Sequence, residues 1–106
     1  MIKPISRPLD IRRARCLMWL MSEFPLAFPE NPVPLSTGIH FELIDAKPDE
    51  FTIGDIGRAL HLWTTQRLYL NALKRDAPRY NLQGEVRGMV TPEQLRILRE
   101  REDESE

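Results

Sequence analysis

Apolar side chains recur every three or four positions along most of the chain, and this spacing predicts a mainly helical protein. The first helix is predicted over residues 11–23, with Asp10 as its N-cap. Its buried stripe is expected to comprise Ile11, Ala14, Leu17, Met18, Met21 and Phe24. Residues 1–9, which include Pro4 and Pro8, are expected to form a flexible basic arm before this helix.

Prolines at positions 25, 29, 32 and 34 exclude a regular helix from the segment that follows. The side chains expected to hold this segment against the core are Phe24, Leu26 and Phe28. A second helix is predicted within "STGIHFELIDA", with Ser36 or Thr37 as its N-cap and an apolar face at Ile39, Leu43 and Ile44. Its first turn leaves backbone N–H groups unpaired, which suits a phosphate or a terminal ribose, although most helix N-termini bind only water.

A third helix is predicted from about residue 53, with an apolar face made of Ile53, Ile56, Ala59, Leu60 and Trp63. Continuing the same phase would bury Arg67 and Lys74, which is costly without partners. We therefore predict a break near "TTQ" and a further helix capped by Thr64 or Thr65. In that helix Leu70 and Leu73 face the core, and Tyr69 lies beside them with its hydroxyl directed outward.

The stretch after Pro78 predicts a short β-hairpin, with strands near residues 79–82 and 86–90 and a turn at Gln83 and Gly84. Alternation places Tyr80 and Leu82 inward, and Arg79 and Asn81 on the opposite face. The last helix begins with Thr91 as N-cap, Pro92 in the first helical position and Gln94 completing a capping box. These elements predict a compact domain of five to six helices with one hairpin over residues 10–101, followed by a frayed acidic tail at residues 102–106.

The distribution of charge is more informative than its total. The 106 residues carry a net charge of −1, but residues 1–15 carry +4 and residues 53–92 carry +3. Acidic segments at residues 16–52 and 93–106 mask these two basic blocks. A polyanion would meet the blocks rather than the average, although a solvated mixed surface explains the same charges.

The residues offer little catalytic or metal-binding chemistry. Cys16 is the single cysteine and lies in an apolar run, which indicates a buried, inert thiol and a reducing compartment. His40 and His61 occur in no metal-ligand pattern. No segment has transmembrane length, and the run from Cys16 to Met21 is too short for a signal peptide. We expect a cytoplasmic, monomeric protein without cofactor, metal, membrane contact or enzymatic activity.

Four stretches in this order carry a family resemblance: "FPLAF", "PLSTGI", "ALHLW" and "YLNALKRDAPRYNLQGEVRGMVT". Together, from about Cys16 to Thr91, they resemble the ProQ/FinO family of bacterial RNA chaperones. The resemblance implies a FinO-like fold with a concave basic face. It also implies structured RNA as the partner, namely terminator-like hairpins with a 3′ uridine tail, in regulation by small or antisense RNAs.

The resemblance implies RNA-contacting roles for Tyr69 and Arg79, and a basic position at Lys74. The helix start at Ser36, Thr37 and Gly38 matches the place that receives the 3′ nucleotide. Further candidates on the basic segment are Arg58, His61, Arg67, Arg75 and Arg87, and the accessory basic residues are Lys3, Arg7, Arg12, Arg13 and Arg15. This chain departs from the family pattern at three positions where the resemblance implies a basic residue. These positions are occupied by Ser36, Gly57 and His61.

Two other functions remain open at this level. The two helices around "TTQ" permit a DNA-binding regulator, although the second helix carries few base-reading side chains. A protein-interaction module without nucleic acid is the other alternative. From the pattern alone, the favoured alternative for Tyr69 is a core aromatic with a satisfied hydroxyl, and the favoured alternative for Arg79 is a side chain that pairs with Asp76 or a helix C-terminus.

Overall fold

A computed structural model describes residues 8–104, and describes side chains over residues 11–100. The elements in chain order are α1 (Pro8–Glu23), α2 (Ile39–Ala46), α3 (Ile53–Thr65), α4 (Arg67–Ala72), β1 (Pro78–Tyr80), β2 (Val86–Met89) and α5 (Pro92–Glu104). The fold is therefore mainly helical with one antiparallel hairpin, as predicted.

The core lies where α1 packs on α3, which also contacts α2 and α4. Its fully buried side chains include Leu20, Phe28, Leu43 and Ile56. Phe28 meets Trp63 edge-on at a centroid distance of 5.3 Å, a favoured geometry for aromatic pairs. Phe28 therefore anchors the proline-rich segment as predicted, whereas Leu26 does not, because its side chain is exposed.

The buried face of α1 differs from the predicted stripe. Cys16 and Leu20, one turn apart, are fully buried, while Ile11, Met18 and Met21 are exposed. The helix begins at Pro8, so Asp10 lies within its first turn instead of capping it, and residues 8 and 9 do not belong to an arm. The rest of the predicted arm lies outside the described residues. In α3 the prediction holds for Ile56, Ala59 and Trp63 but is wrong for Ile53, which is exposed.

Two of the predicted helix caps are replaced by other residues. The N-cap of α2 is Gly38, whose φ of 85° lies in the left-handed region that glycine adopts without strain, so neither Ser36 nor Thr37 caps the helix. The chain breaks between α3 and α4 as predicted, but Gln66 occupies the N-cap of α4. Thr64 and Thr65 cannot cap α4 because their hydroxyls donate to carbonyls one turn back in α3.

The hairpin is extended by a third short segment. β1 pairs with β2 through Pro78–Met89 and Tyr80–Val86, with an irregularity between them. On the other side of β1, the Tyr80 amide donates to the Pro34 carbonyl at 2.9 Å, and the Ser36 amide donates to the Tyr80 carbonyl at 2.8 Å. The segment that leads into α2 is therefore fixed to the hairpin by backbone hydrogen bonds.

The turn of the hairpin is organised by Asn81, which is buried although alternation placed it on the face opposite Tyr80 and Leu82. Its side-chain carbonyl accepts from the Gln83 and Glu85 amides at 3.0 and 2.9 Å. Such local side-chain bonds stabilise a turn in place of ladder bonds. Gly84 has a φ of 78°, and a Cβ there would lie 2.9 Å from Leu26, so both the conformation and the space require glycine.

The capping box predicted for α5 is confirmed. The Gln94 amide donates to the Thr91 hydroxyl at 3.2 Å, and the Thr91 amide donates to the Gln94 side chain at 3.1 Å. The helix continues to Glu104, so three residues of the predicted tail are helical. Residues 105 and 106 lie outside the described residues.

Candidate functional site

Leu35 is the junction of the candidate site. Its neighbours in the chain use their backbone groups to pair with Tyr80, so the amide and carbonyl of Leu35 point away from the hairpin. The Tyr69 hydroxyl accepts the Leu35 amide at 3.1 Å, and Arg79 Nη1 donates to the Leu35 carbonyl at 2.6 Å. Tyr69 and Arg79 therefore meet at one residue, directly before the start of α2.

Tyr69 does not present its hydroxyl to solvent. The residue is 5% exposed and belongs to the core, and its hydroxyl oxygen accepts the hydrogen bond from the Leu35 amide. This geometry corrects the expectation of an outward hydroxyl and agrees with the alternative of a core aromatic with a satisfied hydroxyl. What Tyr69 does at the site is to fix the backbone just before α2.

Arg79 is half-buried and joins three parts of the fold. Besides the Leu35 bond, its Nη2 donates to Gln94 Oε1 at 3.0 Å, the same oxygen that caps α5. Neither Asp76 nor a helix C-terminus is its partner in the described part of the chain. Each Nη carries two hydrogens, so the guanidinium keeps donor capacity after these two bonds.

The start of α2 supplies unpaired donors beside this pair. Among the described residues, the amides of Thr37, Gly38 and His40 have no acceptor, while those of Ile39 and Phe41 bond back to the chain. Ser36 is 5% exposed, and its hydroxyl has no partner there. A buried polar group without a partner is costly and calls for a ligand or water. Several amides at the positive end of a helix suit an anion or a ribose.

A second group of basic residues lies along α1 and α3. Arg12 Nη2 and Arg58 Nη2 donate to the two oxygens of Asp55 at 2.6 and 3.2 Å. Asp55 is buried and forms a capping box with Thr52 at the start of α3. The bond from the Thr52 amide, followed by those from Arg12 and Arg58, lowers the pKa of the Asp55 carboxyl to about 2 against the opposing effect of burial.

Arg58 also lines a cleft of about 350 Å³. The cleft is bordered by Arg13, Gly54, Gly57, Arg58, His61 and Leu62. The Arg58 guanidinium lies across Gly54, 3.3 Å from where a Cβ would be, whereas a Cβ at Gly57 would meet nothing within 4 Å. The structure thus brings together four predicted candidates from separate parts of the sequence: Arg12, Arg13, Arg58 and His61.

The remaining candidates lie on the surface away from these contacts. Lys74 and Arg75 follow α4, and Arg67 begins it, all three exposed. Arg75 and Arg87 have acidic neighbours at 3.9 and 3.4 Å, and Arg15 lies 3.7 Å from Glu50. Arg87 also donates to the Val86 carbonyl at 3.3 Å. Lys3 and Arg7 lie outside the described residues.

Three contributions to these sites were not predicted from the sequence. They are the roles of Leu35 and Asp55 and the contact between Gln94 and Arg79. Asp55 could have been found, because Thr52 followed three positions later by an acid is a capping-box pattern. No local pattern indicates that Leu35 joins Tyr69 and Arg79, since these residues are more than 30 positions from it.

Cys16 has the environment expected of an inert thiol. Burial, with a smaller effect of the Asp55 charge, raises its pKa to about 11. Among the described side chains, no group of three or more histidines, cysteines or acids is placed to hold a metal ion. In the same part of the chain no helix combines the length and apolarity needed to cross a bilayer.

The fold is similar to two solved structures. The first is the crystal structure of NMB1681 from Neisseria meningitidis MC58, a FinO-like RNA chaperone, with a TM-score of 0.73 and 28% identity over 83% of this chain and 76% of that one. The second is the solution structure of a ProQ homolog from Legionella pneumophila, with a TM-score of 0.73 and 26% identity over 98% of this chain and 88% of that one.

A comparison with curated proteins gives no match. The pattern of the ProQ/FINO family matches residues 12–106, which is most of the sequence and includes every described element from α2 to α5. The chain belongs to the ProQ/FINO family.

Proposed function

We propose that this protein is an RNA-binding chaperone that holds the 3′ end of a structured RNA at the start of α2. Membership of the ProQ/FINO family and the similarity to a FinO-like RNA chaperone support RNA as the partner. The two basic blocks of the sequence, residues 1–15 and 53–92, give a polyanion places to bind despite the net charge of −1.

The single observation that carries the proposal is the set of unsatisfied donors before and within the first turn of α2. A terminal nucleotide offers a ribose with two hydroxyls and a phosphate, and these groups match unpaired amides and a free serine hydroxyl. Ser36 stands where the family resemblance implies a basic residue, so this part of the site binds through hydrogen bonds and not through a side-chain charge.

Arg79 and Tyr69 contribute in different ways. Arg79 supplies the charge, since a guanidinium with spare donors beside Leu35 can reach a phosphate next to the terminal nucleotide. Tyr69 acts through Leu35, whose amide it accepts, and so fixes the backbone that leads to the unpaired amides.

The preferred RNA is an intrinsic-terminator-like hairpin with a single-stranded 3′ uridine tail. The tail enters the α2 site, and exposed basic residues, with Lys74, Arg67, Arg75 and Arg87 as candidates, contact the phosphates of the stem. Recognition of an A-form stem by shape and phosphates, without base reading, is typical of such proteins. The biological role is post-transcriptional regulation by small or antisense RNAs, through 3′-end protection or pairing, by a monomer in the bacterial cytoplasm.

A salt titration with competitors tests the proposal. Affinity for a terminator hairpin should fall by about tenfold or more between 50 and 200 mM salt, because several phosphate contacts release counterions. Duplex DNA of the same stem sequence should compete weakly. Strong competition by DNA would favour the helical DNA-binding regulator, and no binding at low salt would favour a protein-interaction module; either result would overturn the proposal.

A further inference from the structure

Asp55 holds two arginines that come from different helices. Arg12 lies on α1 and Arg58 on α3, and each donates one hydrogen bond to a different oxygen of the same carboxylate. The carboxylate itself is 2% exposed, while the arginine side chains are 48% and 40% exposed. The carboxylate is therefore shielded from solvent, whereas both guanidinium side chains remain accessible to solvent.

The arrangement has a net charge of +1 with many donors still available. A guanidinium has five N–H groups, and Asp55 accepts from one nitrogen of each. Two guanidinium groups bound to one carboxylate lose little further conformational entropy when an anion arrives, since their positions are already set. A single solvent-exposed arginine lacks this advantage.

The backbone of α3 is shaped for Arg58. A Cβ at Gly54 would lie 3.3 Å from both Nη atoms of Arg58, closer than ordinary contact. Glycine at this position lets the guanidinium lie against the helix next to the cleft. The orientation of Arg58 is thus fixed both by Asp55 and by the absence of a side chain at Gly54.

We propose that Asp55 is a positioning residue, which assembles Arg12 and Arg58 into one phosphate-binding pair for the RNA backbone. The inference rests on the proposed function, because it takes RNA as the source of the phosphate. It goes beyond that function by assigning a role to a buried acid and by joining two arginines, 46 positions apart, into a single site. The simpler alternative is an ion network that only ties α1 to α3.

The test depends on whether Asp55→Asn raises or lowers the affinity for RNA. Asp55→Asn removes a negative charge, so electrostatics alone would leave affinity for RNA unchanged or raise it. If Asp55 positions the arginines, affinity should instead fall by about fivefold, and the salt slope should shrink by roughly one unit as one phosphate contact is lost. Asparagine can still accept the Thr52 amide, which preserves part of the capping box.

Glu50→Gln is the matched control. It removes the same charge from a carboxylate that faces an α1 arginine, Arg15, but across 3.7 Å at the surface. The control should leave affinity within about twofold of the wild-type value or raise it slightly. Both variants are checked by circular dichroism and thermal melting before the terminator hairpin is titrated.

The outcomes separate the two claims. If wild-type protein binds and folded Asp55→Asn binds as tightly as Glu50→Gln, the positioning role is overturned while the proposed function stands. If wild-type protein does not bind, the proposed function fails, and this inference with it. If Asp55→Asn does not fold, the variants Arg12→Gln and Arg58→Gln and the double variant are compared instead. If the arginines act as one pair, each single variant should lose nearly as much RNA affinity as the double variant. Additive losses of affinity would overturn the proposal.

Discussion

Tyr69 and Arg79 lie on different elements, α4 and β1, and hydrogen-bond the two ends of the same residue, Leu35. The Tyr69 hydroxyl accepts a hydrogen bond from the Leu35 amide, and Arg79 donates one to the Leu35 carbonyl. The two residues that the family resemblance singled out are thus joined through a backbone unit and not through each other. One is a buried support and the other a half-buried cation, so substitutions at the two positions should have different effects.

Arg79→Ala should weaken binding of a terminator hairpin by about tenfold or more, since a charge-assisted phosphate contact is lost. It should also lower Tm, because Leu35 and Gln94 lose a donor. Arg96→Ala is the control: it removes the same charge from an exposed side chain outside the proposed site, whose acidic neighbour Glu93 lies 3.9 Å away. A gel-shift titration that gives equal losses for both variants would mean that Arg79 contributes only its charge.

Tyr69→Phe deletes one oxygen and leaves the buried Leu35 amide without an acceptor. The expected cost is about 1–3 kcal/mol of unfolding free energy, with weaker RNA binding as the backbone before α2 loosens. Tyr80→Phe makes the same deletion where the hydroxyl has no partner among the described residues, and should change the melt little. Urea denaturation measures both, and identical curves would contradict the role assigned to Tyr69.

Gly57→Arg should strengthen RNA binding. The position faces open space, since a Cβ there meets nothing within 4 Å, and it borders the cleft that contains Arg58 and His61. An added phosphate contact should steepen the salt slope by about one unit. Gly57→Ala controls for the gain in helix propensity, which both variants share. Salt titrations with equal slopes for the two variants would show that no phosphate reaches this cleft.

Asp55 should make folding sensitive to acid. The pKa of its carboxyl is near 2 in the folded protein and about 3.9 in an unfolded chain. A depressed folded-state pKa contributes stability that is present above the unfolded value and lost as pH falls toward 2. The difference in unfolding free energy between wild-type protein and Asp55→Asn should therefore shrink from pH 5 to pH 2. Denaturation curves with a constant difference would contradict the assigned pKa.

The sequence predicted most of the helices because their signals are local. Apolar spacing located α2, α3 and α4, the cost of burying Arg67 and Lys74 located the break at "TTQ", and Thr91 with Gln94 located the start of α5. The phase of α1 was missed, because a helix with apolar residues on several sides does not reveal which side faces α3. Cys16 and Leu20 face it, while Met18 remains exposed.

The site was less predictable, because its contacts join distant parts of the chain. The burial of Tyr69 depends on Leu35, 34 positions away, and Arg12 finds its partner Asp55 43 positions away. Arginines early in a helix lie near the positive end of its dipole, where cations are mildly unfavourable for the helix itself. The structure supplies a physical reason for one of them, since Arg12 satisfies a buried carboxylate on α3.

The proposed function depends on a free 3′ end that binds at the start of α2. The most direct measurement is a titration with one terminator hairpin in three forms: an intact 3′ uridine tail, no tail, and a tail that ends in a 3′-phosphate. We expect much weaker binding of the last two forms. The RNA without a tail brings no terminal ribose to the unpaired amides and the Ser36 hydroxyl, and the 3′-phosphate blocks the terminal 3′-hydroxyl that would pair with them. Equal binding of all three forms would contradict it and would identify a general duplex binder that acts through its basic groups.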